Sequence, residues 1–160
     1  MPIENPYAAA LGDREPIAAM RESAARFRSL LDGWTPEQFE RTYATGKWTA
    51  RQILIHLAQT ELALGTRARM ALSTPNYTSQ AFNQDAWMAH EPSPTGREAL
   101  DALVALSAMN RAFFQALSPA DRSTPFTHPE YGALTVDWLM SQMAGHHRHH
   151  LTQLEQIAKL

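Results

Sequence analysis

The fold of this 160-residue chain is decided by one stretch, residues 135–158, which reads TVDWLMSQMAGHHRHHLTQLEQIA. The stretch contains no proline, and its apolar and histidine residues recur at spacings of three and four, the period of one helix face. That face carries Val136, Leu139, Met143, His146, His150, Leu154 and Ile157. Thr135 fits the N-cap, and Asp137 in the first turn suits the helix dipole. We therefore predict one continuous amphipathic helix over 135–158, in spite of Gly145.

Proline positions locate the other helices, because a proline in a helix interior costs about 3 kcal/mol or more. Three further proline-free windows carry helical apolar stripes. The three helices are predicted to begin at Pro16, at about residue 50 behind the capping box Thr49–Gln52, and behind the capping box Thr95–Glu98. The first is expected to stop at Gly33 and the second at about residue 72, and the stripe of the third runs to Leu117.

Four long amphipathic helices predict an all-α fold, a four-helix bundle in a single domain over 1–160. No stretch alternates with period two between hairpin turns, so no β-strand is predicted. The connections 73–94 and 118–134 are long for a bundle, and such loops often carry short helices. We predict one at about 79–90. A crossover connection also stays open, so a simple up-down-up-down order does not follow.

Composition and charge exclude several classes of protein. The chain has 14 Lys and Arg against 16 Asp and Glu, a formal net charge of −2, which argues against a nucleic-acid partner. It has no Cys, which excludes a disulfide scaffold, an iron–sulfur site and a cysteine nucleophile. The first residues lack a signal-peptide pattern, and no apolar run approaches the ~18 residues of a membrane span. We therefore expect a cytoplasmic protein without a membrane partner.

Four of the seven histidines fall within residues 146–150. His146 and His150 are four apart on one helix face, with Cβ atoms about 5–6 Å apart, so both imidazoles can bind one metal ion. Both also belong to the buried stripe, where a polar group without a partner costs about 1–3 kcal/mol. His149 lies about 60° off on the polar side, by helical period. His147 lies nearer the stripe, so the pair His147/His150 is an alternative on periodicity alone.

A third metal ligand can come from His56, His90 or His128. Only His56 lies inside a predicted core helix. The other two stand beside loop prolines and are interpreted as surface positions. A single core histidine is more often hydrogen-bonded than metal-bound, but two in one buried stripe favour a metal, because a buried polar group without a partner is costly. The helical spacing alone does not decide which histidines are the ligands.

Two segments of the sequence form recognisable motifs. They are Trp48-Thr49-x-x-Gln52-x-Leu54-x-His56-Leu57-x-x-x-Glu61, and His128-Pro129-x-Tyr131-Gly132-x-Leu134-Thr135 followed by His146-x-x-x-His150-x-x-Gln153-Leu154. Together they resemble the second-helix and fourth-helix signatures of the DinB-like superfamily. The resemblance covers about residues 15–157. It implies a four-helix bundle in up-down-down-up order, which usually holds a divalent metal, nickel or zinc or another, on three histidines. By position these would be His56, His146 and His150, and the match through Gln153 selects His146 over His147.

The resemblance also implies chemistry on a small molecule. Members include thiol-dependent transferases and isomerases that use bacterial low-molecular-weight thiols, and a thiol here must be a cosubstrate because the chain has no Cys. Three neutral imidazoles leave positions on the metal for a water or a substrate atom, so thiol transfer and hydrolysis are both expected reactions. The alternative is a non-catalytic metal- or ligand-binding stress-response protein, with a homodimer as the expected assembly. Imidazole ligands do not select among zinc, nickel, copper and iron.

Four polar residues outside the histidines carry open interpretations. Asn110 interrupts the stripe of the third helix and either orients a substrate or a ligand, or is a satisfied core amide, which is favoured. Glu61 either accepts from an imidazole N–H or forms a solvated or interhelix salt bridge, which is favoured. Arg67 and Arg148 either bind an anionic substrate or are solvated at the surface, which is favoured. Three side chains of the long connection could cover the mouth of the site or cap the core: Phe82, Trp87 and Met88.

Overall fold

A computed structural model describes residues 3–160 as a mainly helical chain. The elements are α1 (Ala8–Leu11), α2 (Pro16–Leu31), α3 (Pro36–Phe39), α4 (Ala50–Ser73), α5 (Gln84–His90), α6 (Gly96–Gln115), α7 (Pro119–Arg122), β1 (Pro125–His128), β2 (Gly132–Thr135) and α8 (Val136–Ala158). The long helices α2, α4, α6 and α8 form the predicted four-helix bundle. None of the helices over residues 3–160 has the length and apolar character to cross a bilayer.

Contacts near the helix ends fix the directions of the long helices. Arg28, near the C-terminal end of α2, pairs with Asp101 near the start of α6 at 2.5 Å, so these helices are antiparallel. Arg51, at the start of α4, donates to Pro94 O just before α6 begins, so α4 and α6 run parallel.

The fourth long helix completes the order. Arg26, in the second half of α2, pairs with Glu155 near the end of α8 at 3.1 Å, so α2 and α8 are parallel. The directions in chain order are therefore up, down, down, up, as predicted. The packed pairs α2–α8, α8–α4, α4–α6 and α6–α2 close a ring, so α2 lies diagonally across the bundle from α4, and α6 lies diagonally across it from α8.

Capping chemistry sets the helix starts where the sequence predicts them. Thr49 Oγ1 accepts from Gln52 N at 3.2 Å, and the Gln52 side chain accepts from Thr49 N at 2.9 Å, which confirms the capping box of α4. The same reciprocal pair, Thr95 with Glu98, begins α6. The helix α8 runs unbroken from Val136 to Ala158, as predicted.

Gly145 in α8 has a packing reason. A Cβ built at this position would lie 2.5 Å from the backbone oxygen of Tyr7, next to α1. Contacts below 3.0 Å are not tolerated between such atoms, so only glycine lets the N-terminal segment approach α8 this closely. The small helix α1, an element not predicted from the sequence, is held there against α8.

The two long connections are structured. The first contains α5, Gln84–His90, which confirms a short helix there, although it begins five residues later than expected. The second contains α7 and an antiparallel hairpin in which β1 pairs with β2, from Pro125↔Thr135 to His128↔Gly132. The prediction that no strand exists is therefore wrong. Each strand has only four residues, too short a run for a period-two pattern to stand out.

The bundle interior consists of two apolar clusters. The first includes Met20, Leu64, Phe114, Leu139, Met140 and Met143. The second includes Phe27, Leu54, Leu57, Leu103, Leu151 and Leu154. Each long helix passes from one cluster to the other and carries buried polar residues between them. This polar layer consists of Ser23 on α2, His56, Gln59, Thr60 and Glu61 on α4, Ser107 and Asn110 on α6, and His146, His147 and His150 on α8.

Candidate metal centre

Three histidines of the polar layer converge on one point. His56 Nε2 lies 3.0 Å from His146 Nε2, and His150 Nε2 lies 2.9 Å from the same atom. The three ligand atoms all lie within 4.8 Å of one another, and all three residues are buried. Two nitrogens that each lie about 2.0–2.1 Å from one zinc ion are at most about 4.2 Å apart. Both measured separations fall within that limit.

A hydrogen bond orients the imidazole of His150. Its Nδ1 lies 2.7 Å from Gln153 Oε1, and the amide nitrogen of Gln153 donates to the Tyr43 hydroxyl at 3.2 Å. Because an amide oxygen only accepts, Nδ1 of His150 carries the proton. Its Nε2 therefore presents a lone pair to the other two rings, which is the orientation that a metal ligand needs.

Burial keeps the three imidazoles neutral. Desolvation lowers the pKa of His56 from 6.5 to about 4. Desolvation, followed by the charge of neighbouring His56, lowers the pKa of His150 to about 3, and the pKa of His146 is well below its usual value for the same reasons. Neutral imidazole is the form that binds a metal. Imidazole nitrogens that converge at 2.9 and 3.0 Å in a buried site fit a divalent cation, to which each neutral ring would present its Nε2 lone pair.

His56 is held by aromatic rings. Its ring centroid lies 4.8 Å from that of Trp48 and 6.4 Å from that of Phe82, with the Phe82 ring stacked at 10°. Its buried Nδ1 has no hydrogen-bond partner in the described part of the chain. The aromatic contacts, and the capped start of α4, therefore fix where His56 Nε2 points.

His147 is buried but faces away from the cluster. Its Nε2 lies 2.5 Å from Glu61 Oε1, and its ring packs edge-on against Phe27 at 5.9 Å. The structure thus does not bring His147 and His150 together as a chelating pair. His149 is exposed on the outside of α8, and His90 is exposed on α5.

Glu61 and Asn110 belong to a buried network that joins three helices. Glu61 Oε2 accepts from Asn110 Nδ2 at 2.6 Å, and Asn110 Oδ1 accepts from Arg69 at 2.8 Å. Asn110 is therefore a core amide with its hydrogen bonds made, which is the interpretation that the sequence favours. Glu61 is 2% exposed and pairs with the imidazole of His147, the neighbour of His146 in sequence. It is an interhelix partner of a histidine, and the solvated alternative is wrong.

A cavity of about 170 Å³ adjoins the cluster. Its lining comes from α4, the hairpin, α8 and the N-terminal segment, and comprises Tyr7, His56, Thr60, Leu64, Arg67, Phe82, Gln84, His128, Glu130, Tyr131, Gln142 and His146. Among the three side chains considered as covers, only Phe82 lines this cavity. Trp87 packs edge-on against Phe82 at 4.7 Å, and Met88 packs on the second apolar cluster.

Two sequence interpretations fail at this cavity. His128 was expected at the surface, yet it is 5% exposed, because β1 alternates and turns Phe126 and His128 inward together. Arg67 was also expected to be solvated, yet it is 8% exposed beneath the 73–94 connection, where it donates to Gln80 O at 2.6 Å. In the sequence, the proline beside His128 does not indicate that this histidine belongs to a β-strand. Likewise, nothing in the sequence around Arg67 indicates that the distant 73–94 connection covers it.

The family follows from the sequence match together with this fold. The model of the DinB superfamily matches residues 19–154, which include all three histidines of the cluster. The chain belongs to the DinB superfamily. Two relatives of this DinB chain are each named "Putative metal-dependent hydrolase". The Oceanobacillus iheyensis protein is 27% identical over 77% of this chain and 72% of its own length. The Bacillus mycoides protein is 26% identical over 76% of this chain and 70% of its own length.

Solved structures share the DinB bundle. YfiT of Bacillus subtilis, described as a "probable metal-dependent hydrolase with an unusual four-helix bundle topology", superposes with a TM-score of 0.82 at 20% identity, over 90% of this chain and 84% of its own. A mycothiol-dependent maleylpyruvate isomerase superposes with a TM-score of 0.73 at 12% identity, over 87% of this chain but only 59% of its own. At these identities the likenesses establish the common fold.

Proposed function

We propose that this DinB protein binds a divalent metal through His56, His146 and His150 and is a metal-dependent enzyme acting on a small molecule. The observation that carries the proposal is the convergence of three buried Nε2 atoms, two pairs of which lie 2.9 and 3.0 Å apart. The names of its relatives as metal-dependent hydrolases support the same function. Zinc and nickel are the proposed metals, because the family resemblance implies them; imidazole ligands alone would also accept copper and iron.

The residues around the cluster suit a reaction at the metal. A bound divalent metal would supply Lewis acidity and favour the anion of a water or thiol at a free position. Gln153 holds the His150 ring in the ligating tautomer, and Phe82 covers His56 on the cavity side. The cavity next to His56 and His146 leaves space for a substrate.

Hydrolysis and thiol transfer are the two proposed reactions. Hydrolysis is supported by the names of the relatives. Thiol transfer is supported by the dependence of a protein of the same fold on mycothiol, and it needs an external thiol because this chain has no Cys. A non-catalytic metal- or ligand-binding stress-response protein is the second candidate, which the closed, hydrogen-bonded cluster also suits.

Elemental analysis joined to an activity screen tests the proposal. The purified protein is analysed for zinc, nickel, copper, iron and manganese, and then assayed with ester and amide substrates and with bacterial thiols and electrophiles. One equivalent of metal together with turnover that a chelator removes is the expected result. Metal without turnover selects the binding protein, and a protein that takes up no metal contradicts the metal-dependent enzyme and the metal-binding form of the second candidate.

A homodimer, a cytoplasmic location and the lack of a nucleic-acid partner complete the proposal. Sedimentation velocity and cell fractionation test the first two. The formal charge of −2 supports the third, and a gel-shift assay with duplex DNA and with RNA is expected to show no complex.

A further inference from the structure

His128 offers a hydrogen-bond donor to the cavity beside the three-histidine cluster. Its Nδ1 accepts from the backbone N–H groups of Glu130, at 3.1 Å, and of Tyr131, at 3.3 Å. A nitrogen that accepts two such bonds carries no proton, so the proton of this neutral ring is on Nε2. Burial, and then the charge of Arg67, hold the pKa of His128 below its usual value. The side chain lines the cavity, and within residues 3–160 its Nε2 has no hydrogen-bond partner.

Arg67 brings a buried cation to the same cavity. Its guanidinium donates to Gln80 O, and no carboxylate oxygen of the described residues lies within 4.0 Å of it. A guanidinium has five N–H groups, and buried arginine normally has a carboxylate or phosphate partner. The carboxylate of Glu130 also lines the cavity but is exposed and beyond ion-pair distance. Arg67 is therefore a buried charge whose donors are largely unused.

The surroundings of Arg67 and His128 suit a small organic anion. The loop that covers Arg67 is tied to the strand of His128, since Ser79 N donates to Thr127 O at 2.9 Å. The cavity volume of about 170 Å³ is close to the ~150 Å³ that admits benzene in an apolar cavity, so a ligand of roughly six to nine heavy atoms fits. With a divalent ion on the histidines, Arg67 and Glu130 cancel and the cavity carries a net charge of about +2.

We propose that Arg67 and His128 form a carboxylate-binding subsite in this cavity, and that the substrate is a small carboxylic acid held by its carboxylate. The Arg67 fork binds both oxygens, and His128 Nε2–H donates to one of them. The rest of the ligand then extends towards His56 and His146, which line the same cavity. The term substrate rests on the proposed function, whereas the subsite is defined by this chain alone.

Binding of benzoate and of its uncharged isostere benzamide tests the subsite. In calorimetric titrations of the zinc-loaded protein, benzoate is expected to bind at least tenfold more tightly than benzamide. Arg67→Gln should lower the affinity for benzoate tenfold or more and change the affinity for benzamide less than twofold. His128→Asn keeps an oxygen that can accept from the two backbone N–H groups but removes the donor, and should weaken benzoate threefold to tenfold.

Matched controls separate the subsite from general effects of charge and folding. Arg26→Gln and His90→Gln each remove the same residue type at an exposed position outside the cavity and should leave benzoate binding unchanged. Circular dichroism and zinc content report whether a variant is folded. A measurement without any variant is the ¹⁵N spectrum of histidine-labelled wild-type protein, in which the Nε2 resonance of His128 should shift with benzoate and not with benzamide.

The result with metal-free protein distinguishes this inference from the proposed function. Benzoate binding that persists without metal and needs Arg67 establishes the subsite, even if no turnover is ever found. Benzoate binding that disappears with the metal and ignores Arg67→Gln means that the carboxylate binds the metal itself. That outcome overturns the subsite and leaves the metal centre standing, as does equal weakening by Arg67→Gln and Arg26→Gln.

Discussion

At the scale of single residues, hydrogen bonds decide which nitrogen of each histidine is free. Gln153 accepts from Nδ1 of His150, so Nε2 turns a lone pair to the cluster, whereas two backbone N–H groups occupy Nδ1 of His128, so its Nε2 keeps a proton. The same side chain is thus a candidate ligand at one position and a donor at the other. Residue type alone carries no such distinction.

The phase of α8 predicts unequal effects for two adjacent histidines. His150→Ala should abolish metal retention, because its Nε2 lies 2.9 Å from that of His146 in the buried cluster. His149→Ala should leave the metal content nearly unchanged, since His149 is exposed. The metal content that each variant keeps after dialysis against metal-free buffer checks the prediction. Equal metal content in the two would contradict the assignment of the ligands.

Removal of the Gln153 amide should weaken the metal site without removing a ligand. Without the acceptor at 2.7 Å, the His150 ring is free to take the other tautomer and to rotate, so Gln153→Ala should lower metal affinity about 10–100-fold. Competition with a chromogenic chelator measures the metal affinity. Gln156→Ala, an exposed glutamine on the same helix, is the control and should bind as the wild type does.

At the scale of elements, each functional group is positioned by the start or the packing of its own element. The capping box of α4 sets the phase of His56, and the hairpin β1–β2 turns His128 inward through its alternation. The segment after α4 then crosses over Arg67 and pairs with β1. The cavity exists only because these connections pack on the bundle.

The close contact of α1 with α8 predicts whether an alanine at position 145 stabilises or destabilises the protein. Gly→Ala in a helix interior normally stabilises by about 1 kcal/mol. Gly145→Ala should instead destabilise by about 1–3 kcal/mol, because its Cβ would meet Tyr7 O at 2.5 Å. Urea unfolding gives the free energy, and limited proteolysis should show earlier cleavage near α1. Thr152→Ala, at an exposed position of α8, should change neither the free energy of unfolding nor the cleavage near α1. A more stable Gly145→Ala variant would show that α1 does not pack there.

At the scale of the whole molecule, a polar layer divides the core. Every long helix is apolar on either side of the layer and polar within it, so the two apolar clusters stabilise the bundle while the layer holds the three histidines proposed as metal ligands. The antiparallel packing of α4 against α8 brings the first third of α4 to the middle of α8, and this alone places His56 beside His146 and His150.

The buried neutral imidazoles predict how the stability of the metal-free protein depends on pH. The pKa of His56 is about 4 in the folded state and about 6.5 in the unfolded state, so the unfolded state binds more protons between these values. The stabilisation is complete above pH 6.5 and declines as the pH falls below it. Between pH 7.5 and 5 the free energy of unfolding should fall by roughly 2 kcal/mol from His56 alone.

Urea unfolding of the metal-free protein across this range measures the slope. His56→Gln removes one titrating group and should flatten it, whereas His90→Gln, at an exposed position, should leave it unchanged. A free energy of unfolding that is independent of pH between 7.5 and 5 would mean that the histidines are not buried as neutral rings.

Local signals in the sequence are enough to place the long helices. The proline-free windows, the capping boxes of Thr49 and Thr95 and the period of α8 predicted the four long helices, since these signals act within one or two turns. The family signature then predicted the up-down-down-up order and the histidine triplet. Periodicity alone left His147 as a rival to His146, because 100° per residue does not resolve two adjacent positions near one stripe.

Tertiary packing sets the contacts between distant segments. It turned His147 towards Glu61, and it buried Arg67 and His128 where a loop meets the hairpin through the non-local bridge Thr78↔Thr127. It also gave Gly145 its partner 138 positions away at Tyr7. Burial and pairing of this kind depend on which elements meet, and that depends on the packing of the whole chain rather than on any short stretch of it.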